Sequence, residues 1–185
     1  MEKRSPDPVD GTEAPPLRMV PAPDGDPIEW VRDHWEQQSL PGGDRFAAAA
    51  SLLRLRQAVV AELDARLRPF ELNRSMYLLL ATLVMSHEGA RRLGSLSRAL
   101  LVHPTTVTLL VDQLERRGMV SRERDPRDRR ASVATLLPAG RELVAAAAAA
   151  LAEGGYGLGG VTDDELRHLA DSVRAARLAV GDSDE

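Results

Sequence analysis

Cysteine is absent from this chain of 185 residues, which excludes disulfide frameworks, thiol redox sensors and cysteine-based zinc or iron–sulfur sites. Long hydrophobic runs are also missing, because no segment approaches the ~18 apolar residues of a membrane-spanning helix. The first residues, MEKRSPDPVDGTEAPP, have no apolar core of the kind that a secretory signal needs. These absences favour a cytoplasmic protein, and no pattern in the chain calls for a cofactor.

Lysine is nearly absent as well, and the remaining charges are unevenly distributed. Lys3 is the single lysine among 24 basic residues, and the others are arginines. The net charge is −4, but residues 1–45 carry −5, residues 46–90 carry +1, residues 91–139 carry +5 and residues 140–185 carry −5. Binding to a phosphate backbone depends on the local field rather than on the average charge. The chain is therefore interpreted as an acidic body with one basic region.

Composition and periodicity predict four parts. Residues 1–27 are rich in proline and polar residues, which predicts a disordered arm. Residues 28–43 form an N-terminal helical extension that holds both tryptophans, and packing is the commoner role of such residues. Residues 44–180 form the main domain, and residues 181–185 are an acidic tail.

Hydrophobic periodicity in the main domain predicts a mainly α-helical fold with a small β-hairpin. Expected helices cover about residues 44–68, 73–86, 96–102, 104–117, 138–152 and 162–180. Four of them have a residue that commonly caps a helix at or just before their start, namely Asp44, Asn73, Ser95 and Thr162. Residues 91–93 are too short for a helix and are expected to form a single β-bridge. Two alternating segments, residues 119–124 and 131–136, flank the turn DPRDRR. The order of elements predicts a winged helix-turn-helix at about residues 72–137.

The functional prediction rests on residues 103–130. Pro104 suits the first position of a helix, and Gly118 suits a left-handed stop. Val107, Leu110, Val111 and Leu114 recur at helical spacing and are expected to form its buried stripe. The segment from Arg122 to Arg130 then has five arginines in nine residues. Such a helix, followed by a basic turn, is typical of a protein that reads DNA.

In a helix-turn-helix, the second helix enters the major groove with its N-terminal residues against the base edges, and a wing tip can insert arginines into the minor groove. The residues predicted to contact DNA are Ser95, His103, Pro104, Thr105, Thr106, Thr108, Arg116, Arg122, Arg124, Arg127, Arg129 and Arg130. His103 could contact DNA, cap its helix or do both. Asp125 and Asp128 are expected to stabilise the wing, with one of the turn arginines as a pairing partner.

The segment RLGSLSRALLVHPTTVTLLVDQLERRGMVSRERDPRDRR resembles the winged helix of the MarR family of bacterial transcription regulators. The aspartate–x–arginine pattern of the family's wing is matched by Asp125-Pro126-Arg127, and the segment before it is matched by LERRGMVSR, from Leu114 to Arg122. The resemblance covers about residues 45–180 and is most specific in the wing.

This resemblance implies a homodimer whose first and last helices, at about residues 44–68 and 138–180, interlock. It also implies a palindromic operator on double-stranded DNA, repression, and release by a small aromatic or anionic ligand. Candidate residues for lining the ligand site are Phe46, Arg66, Phe70 and Tyr77.

The residues give less support to an enzyme or to a metal site. Ser97, His103 and Asp112 could be named as a hydrolase triad, but the chain has no G-x-S-x-G turn, so no enzyme is expected. The dispersed histidines lack cysteine companions, so no metal site is expected either. The alternative that stays open is a winged-helix architectural or protein-interaction factor without a small-molecule inducer.

Overall fold

The computed structural model describes residues 25–182 except Ser39 and Arg129. The predictions for residues 1–24, for the last three residues and for Arg129 therefore lie outside the described residues. The helices are α1 (Pro27–Trp35), α2 (Gly43–Leu67), α3 (Arg74–Val84), α4 (Leu93–Leu100), α5 (Pro104–Arg116), α6 (Pro138–Glu153) and α7 (Asp163–Ala179), and the strands are β1 (Ala90–Arg92), β2 (Val120–Arg124) and β3 (Ser132–Leu136). The chain divides into two units, of which one ends at Leu55 and the other begins at Arg56, inside α2.

The first unit is organised by aromatic contacts. The ring of Trp35 stacks on that of Phe46 with the ring centres 4.2 Å apart. The indole Nε1 of Trp35 donates a hydrogen bond to the carbonyl oxygen of Pro41 at 3.0 Å. Trp30 stacks on His34, one turn further along α1, at 4.8 Å. Both tryptophans thus take part in packing contacts within the first unit, in agreement with the prediction of a packing role.

The core of the second unit is formed by the inner faces of its helices and by the sheet. Leu79, Leu80 and Leu83 of α3 are fully buried, and so is Leu96 of α4. The predicted stripe of α5, residues Val107, Leu110, Val111 and Leu114, lies in the same cluster together with Val120, Ala134, Val144, Ala147 and Leu151. Replacing a buried leucine by alanine typically lowers the free energy of unfolding by about 2–5 kcal/mol. Because the stripe of α5 packs into this cluster, the cluster fixes the orientation of α5.

The sheet is antiparallel, with the strand order β1-β3-β2. β2 and β3 form the predicted hairpin, with Val120 opposite Leu136 and Arg124 opposite Ser132. β1 is a short strand rather than a single bridge, because Ala90, Arg91 and Arg92 all pair with β3. The fold is mainly α-helical with a small β-sheet wing, as the sequence predicts.

Close backbone packing joins the hairpin to α6. The amide of Leu137 donates to the carbonyl oxygen of Met119 at 3.0 Å. A side chain at Gly140 would collide with that same carbonyl oxygen, so only glycine allows the approach. The base of the wing is therefore held against the first turn of α6.

The start of α4 differs from the prediction. Ser95 was expected to cap a helix over residues 96–102, but α4 begins at Leu93 and Ser95 lies within its first turn. The N-cap position belongs to Arg92, whose backbone is extended because it pairs in β1. The strand leads directly into the helix, and this is a consequence of sheet pairing that local sequence does not display.

Two other helix starts carry the expected caps, whereas Asp44 was expected to cap α2 and instead lies inside its first turn. Asn73 accepts a hydrogen bond from the amide of Met76 at 2.9 Å, and Thr162 forms a capping box with Glu165. Hydrogen bonds from Thr162 hold the pKa of Glu165 below its usual value. Asp44 lies in the first turn of α2, one residue after the helix begins. Within the residues that the structure describes, none of the helices is long and apolar enough to cross a membrane.

Candidate DNA-binding surface

Helix α5 begins with a histidine cap. His103 has an extended backbone, and its Nδ1 accepts a hydrogen bond from the amide of Thr105 at 3.3 Å. Pro104 follows at the first helical position, where a missing amide proton leaves no unpaired donor. His103, Pro104 and Thr105 are all exposed, so the capped end of the helix stands free at the surface.

The outward face of α5 is defined by the side chains opposite its buried stripe. Thr105, Leu109, Gln113 and Arg116 are exposed along this face. Thr106 and Thr108 are half-buried at its edges, and the Thr108 hydroxyl donates to the carbonyl oxygen of Pro104 at 3.2 Å. Leu109 and Gln113 were not among the sequence candidates, although their positions four and eight residues after Thr105 place them on the same face.

The turn between α4 and α5 is tight and locally strained. Leu101 has a left-handed backbone with φ of 52°, and its amide bonds to carbonyl oxygens of Ser97 and Arg98. The Ser97 hydroxyl donates to the carbonyl oxygen of Val102 at 2.7 Å. These bonds close the turn and fix the angle between the two helices.

Arg122 is tied to α5 rather than left free. Its Nη1 donates to the Asp112 carboxylate at 2.9 Å, and its amide donates to the Glu115 carboxylate at 3.1 Å. The two acidic side chains of α5 thus hold the beginning of the hairpin. This arrangement favours a structural role for Arg122, although the sequence placed it among the DNA contacts.

Arg117 anchors the C-terminal end of α5. Its guanidinium donates to the carbonyl oxygens of Phe70 and Glu71, at 3.0 Å and 2.7 Å. These carbonyls belong to the turn between α2 and α3. Arg116, by contrast, is exposed, and its Nε donates along its own helix to the carbonyl oxygen of Asp112 at 3.1 Å.

The tip of the wing is organised around Asp125, which is 6% exposed. Its carboxylate accepts the amide of Arg127 at 2.7 Å and the Nε of Arg92 at 2.5 Å. These two hydrogen bonds, the amide of Arg127 first, hold the pKa of Asp125 below its usual value. Asp128 accepts the amide of Arg130 at 3.0 Å.

The sequence analysis expected an arginine of the turn to pair with Asp125. The structure shows instead that the pairing arginine, Arg92, comes from β1. Arg124, Arg127 and Arg130 are exposed, and in the described part of the chain no ion pair involves any of them. Arg124, Arg127 and Arg130 thus present their guanidinium groups to the solvent, while Arg92 neutralises the buried carboxylate.

The four residues considered for a ligand site have separate surroundings. Phe46 belongs to the first unit, where it stacks on Trp35. Arg66 donates to Glu62 at 2.5 Å and to the carbonyl oxygen of Ala150 at 3.0 Å. Tyr77 forms a side-chain hydrogen bond with Tyr156, and burial together with this bond raises the pKa of Tyr77 to about 12.

Phe70, the fourth of these residues, packs against the core of the second unit. A groove of about 650 Å³ opens at the start of α3. It is lined by Asp64, Arg68, Glu71, Leu72, Asn73, Arg74, Ser75 and Leu78. None of the four candidates belongs to this lining.

The chain is similar to known regulators in sequence and in fold. The sequence model of the MarR family matches residues 72–132, which run from the start of α3 into the wing. The uncharacterized HTH-type transcriptional regulator YhbI of Bacillus subtilis is 34% identical over 127 residues, which are 66% of this chain and 80% of that protein.

Two solved structures extend the comparison. Sco5413, a MarR family transcriptional regulator from Streptomyces coelicolor, has a TM-score of 0.71 at 35% identity, covering 78% of this chain and 100% of that chain. BpsR of Bordetella bronchiseptica, whose DNA binding is regulated by 6-hydroxynicotinic acid, has a TM-score of 0.62 at 25% identity, covering 70% of this chain and 97% of that chain.

Proposed function

The chain belongs to the MarR family of transcriptional regulators, and from this premise we propose that it is a homodimeric repressor of a palindromic operator. Members of the family regulate transcription and are not enzymes. In the proposed mechanism, α5 reads bases in the major groove and the wing holds the flanking backbone and minor groove.

The outward face of α5, next to the unpaired wing arginines, is the observation that carries this proposal. Its exposed side chains include the donors and acceptors that base edges and phosphates require. The N-terminus of α5 adds the positive end of the helix dipole, which attracts phosphate. Residues 91–139 have a net charge of +5, so contacts with phosphate groups would neutralise positive charges that otherwise repel each other.

The dimer is supported by apolar and helical surface that the single chain leaves exposed. α7 is 17 residues long, yet none of its residues is buried. A helix of this length is marginally stable alone and usually depends on the packing of one face. Leu52 and Leu53 of α2 are also exposed, at 55% and 63%. We assign residues 44–68 and 138–180 to dimerisation and residues 72–137 to DNA binding.

Release by a small ligand is the second part of the proposal. It is supported by BpsR, whose DNA binding responds to 6-hydroxynicotinic acid, an aromatic anion. Arg66, Phe70 and Tyr77 stay as the proposed lining, with the Arg66 guanidinium as the group suited to a carboxylate. Phe46 belongs to the first unit and is left out of this proposal. A thermal-shift screen of aromatic carboxylates, followed by operator binding with each stabilising compound, tests this part.

Operator binding is tested by footprinting on DNA from upstream of the gene, together with mass measurement in solution. We expect a dimer and a short symmetric protected site, with an affinity that falls steeply as salt rises. Protection without sequence preference would favour the architectural alternative. A monomer at binding concentrations would contradict the proposed dimer.

The wing is tested with a matched pair of arginine variants. Arg127→Ala should weaken operator binding several-fold at low salt and reduce the salt dependence, because its exposed guanidinium is available to DNA. Arg122→Ala should instead lower the melting temperature, because it removes the bond to Asp112. Equal affinity of Arg127→Ala and the wild type would refute the assignment of the wing tip.

A further inference from the structure

Leu109 is a large apolar side chain that projects from the outward face of α5. It is 58% exposed, whereas the apolar stripe of the same helix is buried. Leu109 is two residues from both Val107 and Val111, so it lies about 160° around the helix from each of them. Its position is therefore opposite the core, and it does not hold α5 in place.

The neighbours of Leu109 on this face are polar. Thr105 lies one turn before it and Gln113 one turn after it, and both are exposed. Leu109 is the sixth residue of α5, so it lies within the N-terminal half of the helix, the half that approaches base edges in this class of protein. A leucine at this point offers no hydrogen bond to a phosphate, a sugar or a polar base edge.

The major groove offers an apolar partner of one kind. Thymine carries a 5-methyl group on its groove edge, and apolar side chains recognise thymine through it. Contact with that methyl group would bury apolar surface of Leu109, which is favourable. Contact with a polar base edge would instead strip water from the polar group without giving it a hydrogen bond, which is unfavourable.

We propose that Leu109 is a specificity-determining residue that reads the 5-methyl group of one thymine in each operator half-site. This inference rests on the proposed function, since it requires that α5 enters the major groove. Thr105 and the other polar residues of the face then contact neighbouring groups, and Leu109 supplies the preference for thymine over cytosine at its own position.

The test uses the full-length protein and its footprinted operator, in which each thymine is replaced in turn by deoxyuridine. This change removes the methyl group and preserves base pairing. We expect the wild type to lose about fourfold in affinity for each half-site substituted at one particular position, in line with the removal of a single buried carbon. Leu109→Ala should bind the unmodified operator more weakly and should show no loss at that position.

Leu78→Ala is the matched control, because Leu78 is 51% exposed and lies on α3. It should keep the wild-type response to deoxyuridine at every position. Circular dichroism should show both variants folded, since both side chains are exposed.

The inference is overturned if Leu109→Ala discriminates thymine from deoxyuridine as the wild type does at all positions. It is also overturned if the wild type shows no sensitivity at any thymine. In either case a footprinted palindrome would leave the proposed function intact. A protein that protects no preferred sequence would contradict the proposed function itself.

Discussion

At the scale of single residues, Asp125 joins two parts of the chain that are far apart in sequence. Its carboxylate accepts hydrogen bonds from Arg127, two residues away, and from Arg92, 33 residues away. The turn pattern predicts the local bond, because aspartate commonly bonds to the backbone two residues on. The distant bond depends on the pairing of β1 with β3, which brings Arg92 to the base of the turn.

Asp125→Asn should destabilise the wing and weaken operator binding several-fold. Asparagine can still accept the amide of Arg127, but its amino group would face the Arg92 guanidinium. Because the folded pKa is lowered, the stabilising effect is present above the usual value of 3.8 and is lost as the pH falls through the folded value. The melting temperatures of wild type and variant should therefore differ at neutral pH and converge in acid.

Arg92→Ala is the control for that prediction. It removes the same side-chain bond from the other partner, so the double variant should be little worse than either single variant. Additive losses would show that the two residues act separately.

Tyr77 should make the protein sensitive to alkaline conditions. Its pKa is raised from 10.0 to about 12 by burial and by the bond to Tyr156. Below pH 10 the phenol of Tyr77 keeps its proton in both the folded and the unfolded chain. Between pH 10 and about 12 the unfolded chain loses this proton while the folded chain keeps it, so unfolding becomes more favourable. The free energy of unfolding of the wild type should fall more steeply in this range than that of Tyr77→Phe. Parallel curves in urea titrations would contradict the assignment.

At the scale of elements, α5 performs two tasks on opposite sides. Its buried stripe packs in the core, while Asp112 and Glu115 hold the hairpin through Arg122. Arg117 fixes its C-terminal end to the turn before α3. The outward face is therefore presented by a helix that is held by its buried stripe and at its C-terminal end, which suits the reading of DNA by a rigid element.

The turn before α5 should become more stable when its strain is removed. Leu101 is 79% exposed and has a positive φ, a conformation that costs an ordinary residue about 1 kcal/mol relative to glycine. Leu101→Gly should raise the melting temperature by a few degrees. Leu101→Ala removes the same exposed side chain but keeps the strain, so it should show no such increase. A lower melting temperature for the glycine variant would contradict this account.

At the scale of the whole molecule, the described chain separates the aromatic N-terminal unit from the unit that contains α5 and the wing. The first unit ends at Leu55 and is held by the stacking of Trp35 on Phe46. The second unit contains every residue proposed to contact DNA. In the proposed division of tasks, residues 44–68 and 138–180 serve dimerisation, and residues 72–137 between them serve DNA binding.

Removal of residues 1–40 should leave operator affinity within about twofold of the full-length value at equal salt, since the basic region and its contacts are retained. The truncation ends before α2 begins at Gly43. Affinity is measured by titration of labelled operator, and mass in solution shows whether the dimer persists. Loss of the dimer would show that the N-terminal extension belongs to the interface.

The sequence alone determined the fold class, the buried stripe of α5, the caps at Asn73 and Thr162, and the family. These features follow from local periodicity and from side chains that bond to nearby backbone, so they can be predicted from a short stretch of chain. The sequence left open whether His103 caps α5, which the structure shows. The start of α4 could not be predicted, because Arg92 is held by a strand rather than by a side-chain cap.

Only the tertiary structure decided which arginines are free. Arg92, Arg117 and Arg122 are alike in sequence to Arg127 and Arg130, yet the first three bond to distant carboxylate or carbonyl groups and the last two face the solvent. The role of a charged side chain depends on what the fold places within reach of it, and the partners of Arg92, Arg117 and Arg122 lie up to 47 residues away in the chain.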